Sequence, residues 1–257
     1  MNVIKPFLIR SIVSLLVIIP LALFVRSYAG SSTLLADING IGWLVGVLGT
    51  IYTFVAAFTV VEVWSQFNGV AALIAKEAKA VTSIWNYIDY LNDEKIDKQM
   101  KKALQNYLIA SESEKENAAR GVRSEHPSKQ LIQIFKVLDG VEFDDKRDAA
   151  VFPLLVSSYE ELSSVRSKRI EAGTARIPSP LRIFFTVLSV LLLSTFILLG
   201  FVSTSLYIYN VALITIIINY AHTLILDLDN PFVGIWNVDY TAFAQTKKYI
   251  LETHHKQ

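Results

Sequence analysis

From Ile183 to Leu226 the chain carries no Asp, Glu, Lys or Arg across 44 residues. A hydrocarbon layer about 30 Å thick is crossed by about 20 helical residues. The stretch therefore reads as two membrane spans, with the turn placed most simply at Ser203-Thr204-Ser205. Ile38 to Val61 is uncharged over 24 residues and makes another span. A further span runs from Phe7 to Val25, with Lys5 and Arg10 near its start and Arg26 after it. Ser27-Tyr28-Ala29 would pass as a signal-peptidase site, but the apolar run exceeds most signal cores, so an uncleaved span is expected. Pro20 should kink it, and Arg10 can snorkel to the headgroups.

Basic residues near membrane ends set orientation. Lys5, Arg10, Arg176, Arg182, Lys247 and Lys248 fall on one side and Arg26 on the other. Both termini and the segment between the second and third spans are therefore expected in the cytoplasm. The expected fold is an all-α integral membrane protein with four transmembrane helices and a cytoplasmic helical lobe. Its parts are 1–63 (first two spans), 64–180 (lobe), 181–227 (last two spans) and 228–257 (cytoplasmic tail).

The second span should continue past the membrane as one helix. Val70, Ile74, Val81, Ile84, Ile88 and Leu91 keep helical spacing, with no breaker before Asn92-Asp93. Asp93 is an N-cap for a helix from Glu94 to about Ser111, with Ile96, Met100, Leu104 and Tyr107 on its apolar face. Residues 111–127 lack periodicity and read as a mobile loop. Ser128 caps a helix to Asp139, and a last lobe helix runs from about Asp144 to Ala172, bent at Pro153. Trp236, Tyr240 and Phe243 suit an interfacial amphipathic helix. The 17 basic and 17 acidic residues from Trp64 to Pro180 cancel, as on a solvated face laced with ion pairs.

The formal charge is only +1, so no basic field points to nucleic acid. Cysteine is absent. His126, His222, His254 and His255 fit no metal-hydrolase spacing, no phosphate-binding glycine loop or nucleophile elbow occurs, and Asp144, Asp145 and Asp148 fail the calcium-loop template. Neither an enzyme, nor a cofactor, nor a metal site is expected.

Transport chemistry remains. Gly42, Gly46, Gly49, Thr53, Ala56 and Val60 recur at steps of 4, 3, 4, 3 and 4, giving one small-residue stripe on the second span. Trp43, Val47, Ile51, Phe54 and Phe58 form a bulkier face. Such a stripe either lets helices approach closely or lines a hydrophobic constriction when copies ring an axis. Glu62 at the inner end of the second span and Asn219 and His222 on the last are intramembrane polar groups. They face a pathway, or they pair within the bundle as His222–Glu62 or Asn219–His222. Asp227-Leu228-Asp229-Asn230 caps the last span and opens a turn.

Three stretches resemble the bestrophin-like family of bacterial membrane proteins and, more distantly, the bestrophin channels. They are GxxGTIYTFVAAFTVVEVW with IAKEAKAV, VRSKRIEAG with RIPSPL, and LDLDNPFVGIWNV. The resemblance covers about Gly40 to Val238, and its most specific element is Asp229-Asn230-Pro231-Phe232. It implies a homo-oligomer, five-fold by analogy, in a bacterial inner membrane, conducting inorganic ions and leaning to anions. It also implies that the small-residue stripe is the pore neck and that Asp227, Asp229, Asn230, Pro231 and Phe232 form a clasp-like turn. A ring of Glu62, with Asp37 near the outer mouth, would lean to cations. The alternative is a non-conducting scaffold or signalling protein whose lobe binds a partner. A secondary transporter would show an internal repeat and interrupted spans, and neither is visible.

Overall fold

A computed structural model describes residues 4–30, 34, 38–120, 122, 126–142 and 146–252. Every regular element among them is a helix. In chain order these are α1 (Ile4–Ala29), α2 (Ile38–Leu91), α3 (Glu94–Ser113), α4 (Lys115–Ala119), α5 (His126–Asp139), α6 (Lys146–Thr174), α7 (Ser179–Leu198), α8 (Thr204–Leu228) and α9 (Thr241–Glu252). The chain divides into two compact units, Met1–Ser65 with Arg176–Asp229, and Gln66–Ala175 with Asn230–Gln257. Among the described residues four stretches are long and apolar enough to cross a membrane: Phe7–Ala29, one within Ile38–Leu91, one within Asp148–Leu198, where α6 gives way to α7, and Thr204–Leu228.

α2 is a single helix of 54 residues, about 80 Å long at 1.5 Å per residue. It ends where Asn92 turns left-handed at φ 60°, a conformation asparagine tolerates better than most residues. Asp93 then accepts from the Lys95 and Ile96 amides at 2.9 and 3.1 Å, capping α3 as its position predicts.

In the first unit α1 lies against α8, and α7 packs on both. The α1–α8 seam is fixed by Tyr207, fully buried, whose hydroxyl meets the carbonyls of Ala22 and Ile197 at 3.0 and 2.8 Å. The Arg26 guanidinium sits 5.1 Å from the centre of the same ring. α2 meets α7 through the stacked rings of Tyr52 and Phe185, 5.3 Å apart. α1 continues through Pro20 to Ala29, and Gly30 follows at φ 77°. The helices keep wide apolar faces uncovered within the chain: Leu16, Phe24, Trp43 and Phe58 are 69%, 68%, 69% and 73% exposed. Faces of that kind call for lipid or another protein surface.

The second unit has an ordinary hydrophobic core. Val70, Ile74, Val81, Ile84 and Ile88 of α2 are buried against Ile96, Met100, Leu104 and Tyr107 of α3, with Ile134, Leu155, Leu162 and Phe243 closing round them.

Residues 111–119 depart from the expected loop. α3 runs to Ser113 and α4 occupies Lys115–Ala119, because Ser111, Glu114 and Ala118 are buried in the core. α5 begins at His126, so Ser128 lies inside it rather than capping it. Asp144 and Asp145 are outside the described residues, as are Asp37, His254 and His255. Tyr240 and Phe243 are also not interfacial. Both are buried in the second unit's core, Phe243 on α9, whose start is held by Asp239 accepting from the Thr241 amide at 2.8 Å.

Candidate functional site

The stripe on α2 divides by exposure. Gly42, Gly46 and Thr53 are exposed, whereas Gly49, Ala56 and Val60 are half-buried. A Cβ on Gly42 or Gly46 would meet nothing within 4 Å, and on Gly49 only Leu192 Cδ1 at 4.0 Å. Among the described residues the first two glycines therefore make room for no other helix. The Thr50 and Thr53 hydroxyls turn back onto the Gly46 and Gly49 carbonyls, each at 2.8 Å, so little polarity is left on the surface. Glu62 is exposed and, two residues beyond Val60, stands about 200° round the helix from it.

The polar groups of α8 find partners on other spans. His222 Nε2 is 2.8 Å from the Ser189 hydroxyl, and its ring tilts over Phe185 at 4.5 Å. Asn219 Oδ1 accepts from the Ser14 hydroxyl at 3.4 Å. Both pairings tie α8 to a neighbour, α7 in one case and α1 in the other.

The turn after α8 falls at the division between the units, and its residues are held separately. In the first unit Asp229 is buried at the C-cap of α8. It accepts from the Ile177 amide at 2.7 Å and from the Arg182 guanidinium at 2.9 Å. Both carboxylate oxygens are engaged, so Asp229 fixes the chain entering α7. Asp227 is half-buried. Among the described residues no three His, Asp or Glu side chains converge as metal ligands would.

In the second unit the Asn230 amide donates to the Ala119 carbonyl at 3.0 Å, and its own Oδ1 accepts from the Phe232 amide at 3.3 Å. The Pro231 carbonyl accepts from the Val238 amide at 2.8 Å. Phe232 is buried, and its ring lies where a Cβ on Gly173 would come within 2.5 Å. Glycine is thus required at the end of α6. Gly173→Ala should cost about 1–3 kcal/mol, as overpacking does. Thermal unfolding in detergent will show the loss, and Phe232→Leu added to Gly173→Ala should recover part of it.

Sequence reasoning missed a buried charge cluster in the same unit. Arg169 of α6 is fully buried and bonds Glu77 of α2 through Nε and Nη2 and Glu114 through Nη2 at 3.0 Å. Arg166 bonds the other oxygen of Glu114 at 3.0 Å. The Tyr107 hydroxyl donates to Glu77 at 2.6 Å. The two arginines balance the two carboxylates, which is what makes their burial tolerable.

Beside this cluster burial pushes the Tyr240 phenol up from its ordinary 10.0 to about 12, Glu77 and Glu114 adding to the rise against Arg169. Burial and Glu77 likewise hold Tyr107 well above the ordinary value. A folded-state pKa above the unfolded one gives stability that is complete below about pH 10 and lost as pH rises toward 12. Titrating the melting temperature from pH 9 to 12 should show that decline, on the order of 2 kcal/mol for Tyr240. Tyr240→Phe should flatten that part of it.

The family model for the bestrophin-like domain matches residues 7–243. The chain belongs to the bestrophin-like family. Among solved structures, a single-substitution variant of a bacterial bestrophin homologue from Klebsiella pneumoniae is similar over 96% of this chain and 99% of that one. Its TM-score is 0.75 at 12% identity. A zinc-phased crystal structure of the Klebsiella pneumoniae homologue gives a TM-score of 0.73 at 12% identity, covering 95% and 97% of the two chains. At such identity the likeness is one of fold, and this chain therefore has the bestrophin fold. No curated protein matches the chain.

Proposed function

We propose that this bestrophin-like protein is a homo-oligomeric ion channel, pentameric by family likeness, with α2 innermost and its small-residue stripe lining the pore. The observation that carries the reading is the open glycine face of α2. Among the described residues a Cβ on Gly42 or Gly46 would meet nothing within 4 Å, although other residues of α2 pack on α7. A small, uncharged face left bare by its own chain suits the axis of a ring of subunits. No Lys or Arg lies on the stripe, and Glu62 stands on another side of the helix, which weakens the case for a ring of carboxylates at the neck. The proposed ion is an anion, on family likeness.

In the same proposal both termini and the helices from Gln66 to Ala175 lie in the cytoplasm of a bacterium, beneath its inner membrane. Lys98 reports on this without touching the buried charges, being 74% exposed on α3. A cysteine replacing Lys98 should resist an impermeant thiol reagent in intact cells and react once they are opened. Labelling from outside would overturn the topology. Oligomeric state is read by native mass spectrometry from mild detergent, where a monomer would count against the ring.

A further inference from the structure

Within the first unit, α1, α7 and α8 enclose a cavity of about 510 Å³ lined by Arg10, Ser14, Ser189, Asn219, His222 and Thr223 among apolar neighbours. No carboxylate lines it, and no hydrogen bond or ion pair engages the exposed Arg10 guanidinium among the described residues. Two of its lining groups, the Asn219 amide nitrogen and the Thr223 hydroxyl, are enclosed without a hydrogen-bond partner. Enclosed donors of that kind are costly, and an acceptor-rich occupant would relieve them. The rim residues Ile9, Val13 and Val190 are 61%, 55% and 61% exposed, on helices of span length and composition. The opening is thus apolar and at membrane depth, so the occupant enters sideways from the bilayer rather than from water.

We infer that this cavity is a binding site for an anionic phospholipid. The phosphate pairs with Arg10, the glycerol ester oxygens accept from Asn219 and Thr223, and the chains leave past Ile9, Val13 and Val190. A guanidinium suits a phosphate because it presents several donors in one plane. Ser189 and Ser14 take no part in holding the lipid, since their hydroxyls are engaged with His222 and Asn219. The site does not depend on conduction, only on α1, α7 and α8 lying in the membrane.

The test titrates the purified full chain, in mild detergent, with phosphatidylglycerol, phosphatidylcholine or inorganic phosphate while thermal unfolding is followed. Phosphatidylglycerol should raise the melting temperature saturably, with phosphatidylcholine and inorganic phosphate giving little change at equal concentration. Arg10→Gln removes one charge-assisted contact, and its half-saturating phosphatidylglycerol should rise about tenfold. Thr186→Phe, substituted at another cavity-lining residue, should abolish the effect. Because Arg10 is exposed, its variant retains the fold and carries the test even if the Thr186 variant does not. Equal shifts with both lipids, a shift with inorganic phosphate alone, no shift at all, or a phosphatidylglycerol response unchanged in Arg10→Gln would each overturn the proposal.

Discussion

Arg169→Met should destabilise the chain by about 3–5 kcal/mol, the usual consequence of removing one partner from a buried ion pair. Among the described residues Glu77 would keep only the Tyr107 hydroxyl and Glu114 only Arg166, so two buried carboxylates would share one guanidinium. The loss should register as an earlier unfolding transition in detergent and as poor yield from the membrane. Arg169→Met combined with Glu77→Gln should be milder than the single substitution, because it removes a stranded charge together with its partner. A double-mutant cycle between the two positions reads that coupling directly. A surface pair such as Lys98–Glu94, exposed at 74% and 81%, should give at most a few tenths of a kcal/mol in the same experiment.

The second large effect is expected on conduction. If the stripe on α2 lines the pore, Val60 lies near the narrow inner end and Gly46 nearer the centre. A neck of this composition gates by wetting, since it offers an ion no charge and few dipoles. Val60→Asp should wet it, raise conductance and move the reversal potential toward cations. Gly46→Leu should block current while leaving the oligomer intact, because a Cβ there would meet nothing within 4 Å among the described residues. In a non-conducting scaffold, by contrast, Gly46→Leu would disturb contacts between subunits and Val60→Asp would alter no current.

Much of the fold is written in periodicity. The apolar residues from Val70 to Leu91 hold helical spacing without a breaker, and α2 accordingly runs unbroken to Leu91. The Asp93 cap was equally legible, because its side chain serves amides only two and three residues away. Contacts between distant segments were not. Glu114 sits in a run of polar residues, and what orders it are arginines 52 and 55 residues further on.

A signal for the charge cluster did exist in the sequence. Glu77 falls on the apolar stripe of α2, between Ile74 and Val81, and Arg169 falls beside Leu162, Val165 and Ile170 on α6. A charge inside an apolar stripe implies a buried partner, but neither residue names the other. Tyr240 and Phe243 lie in a core rather than at an interface for a related reason: aromatic side chains suit both, and only the tertiary packing separates the two. The intramembrane polar groups left two readings open, and Ser189, which pairs with His222, looks like any other small residue in a span.

Conduction through a ring of these chains is tested most directly by single-channel recording of the purified oligomer in a planar bilayer under asymmetric salt. Discrete openings should reverse toward the anion equilibrium potential, vanish in Gly46→Leu and gain conductance in Val60→Asp. Intact oligomers that carry no current, or whose current ignores both substitutions, would contradict it.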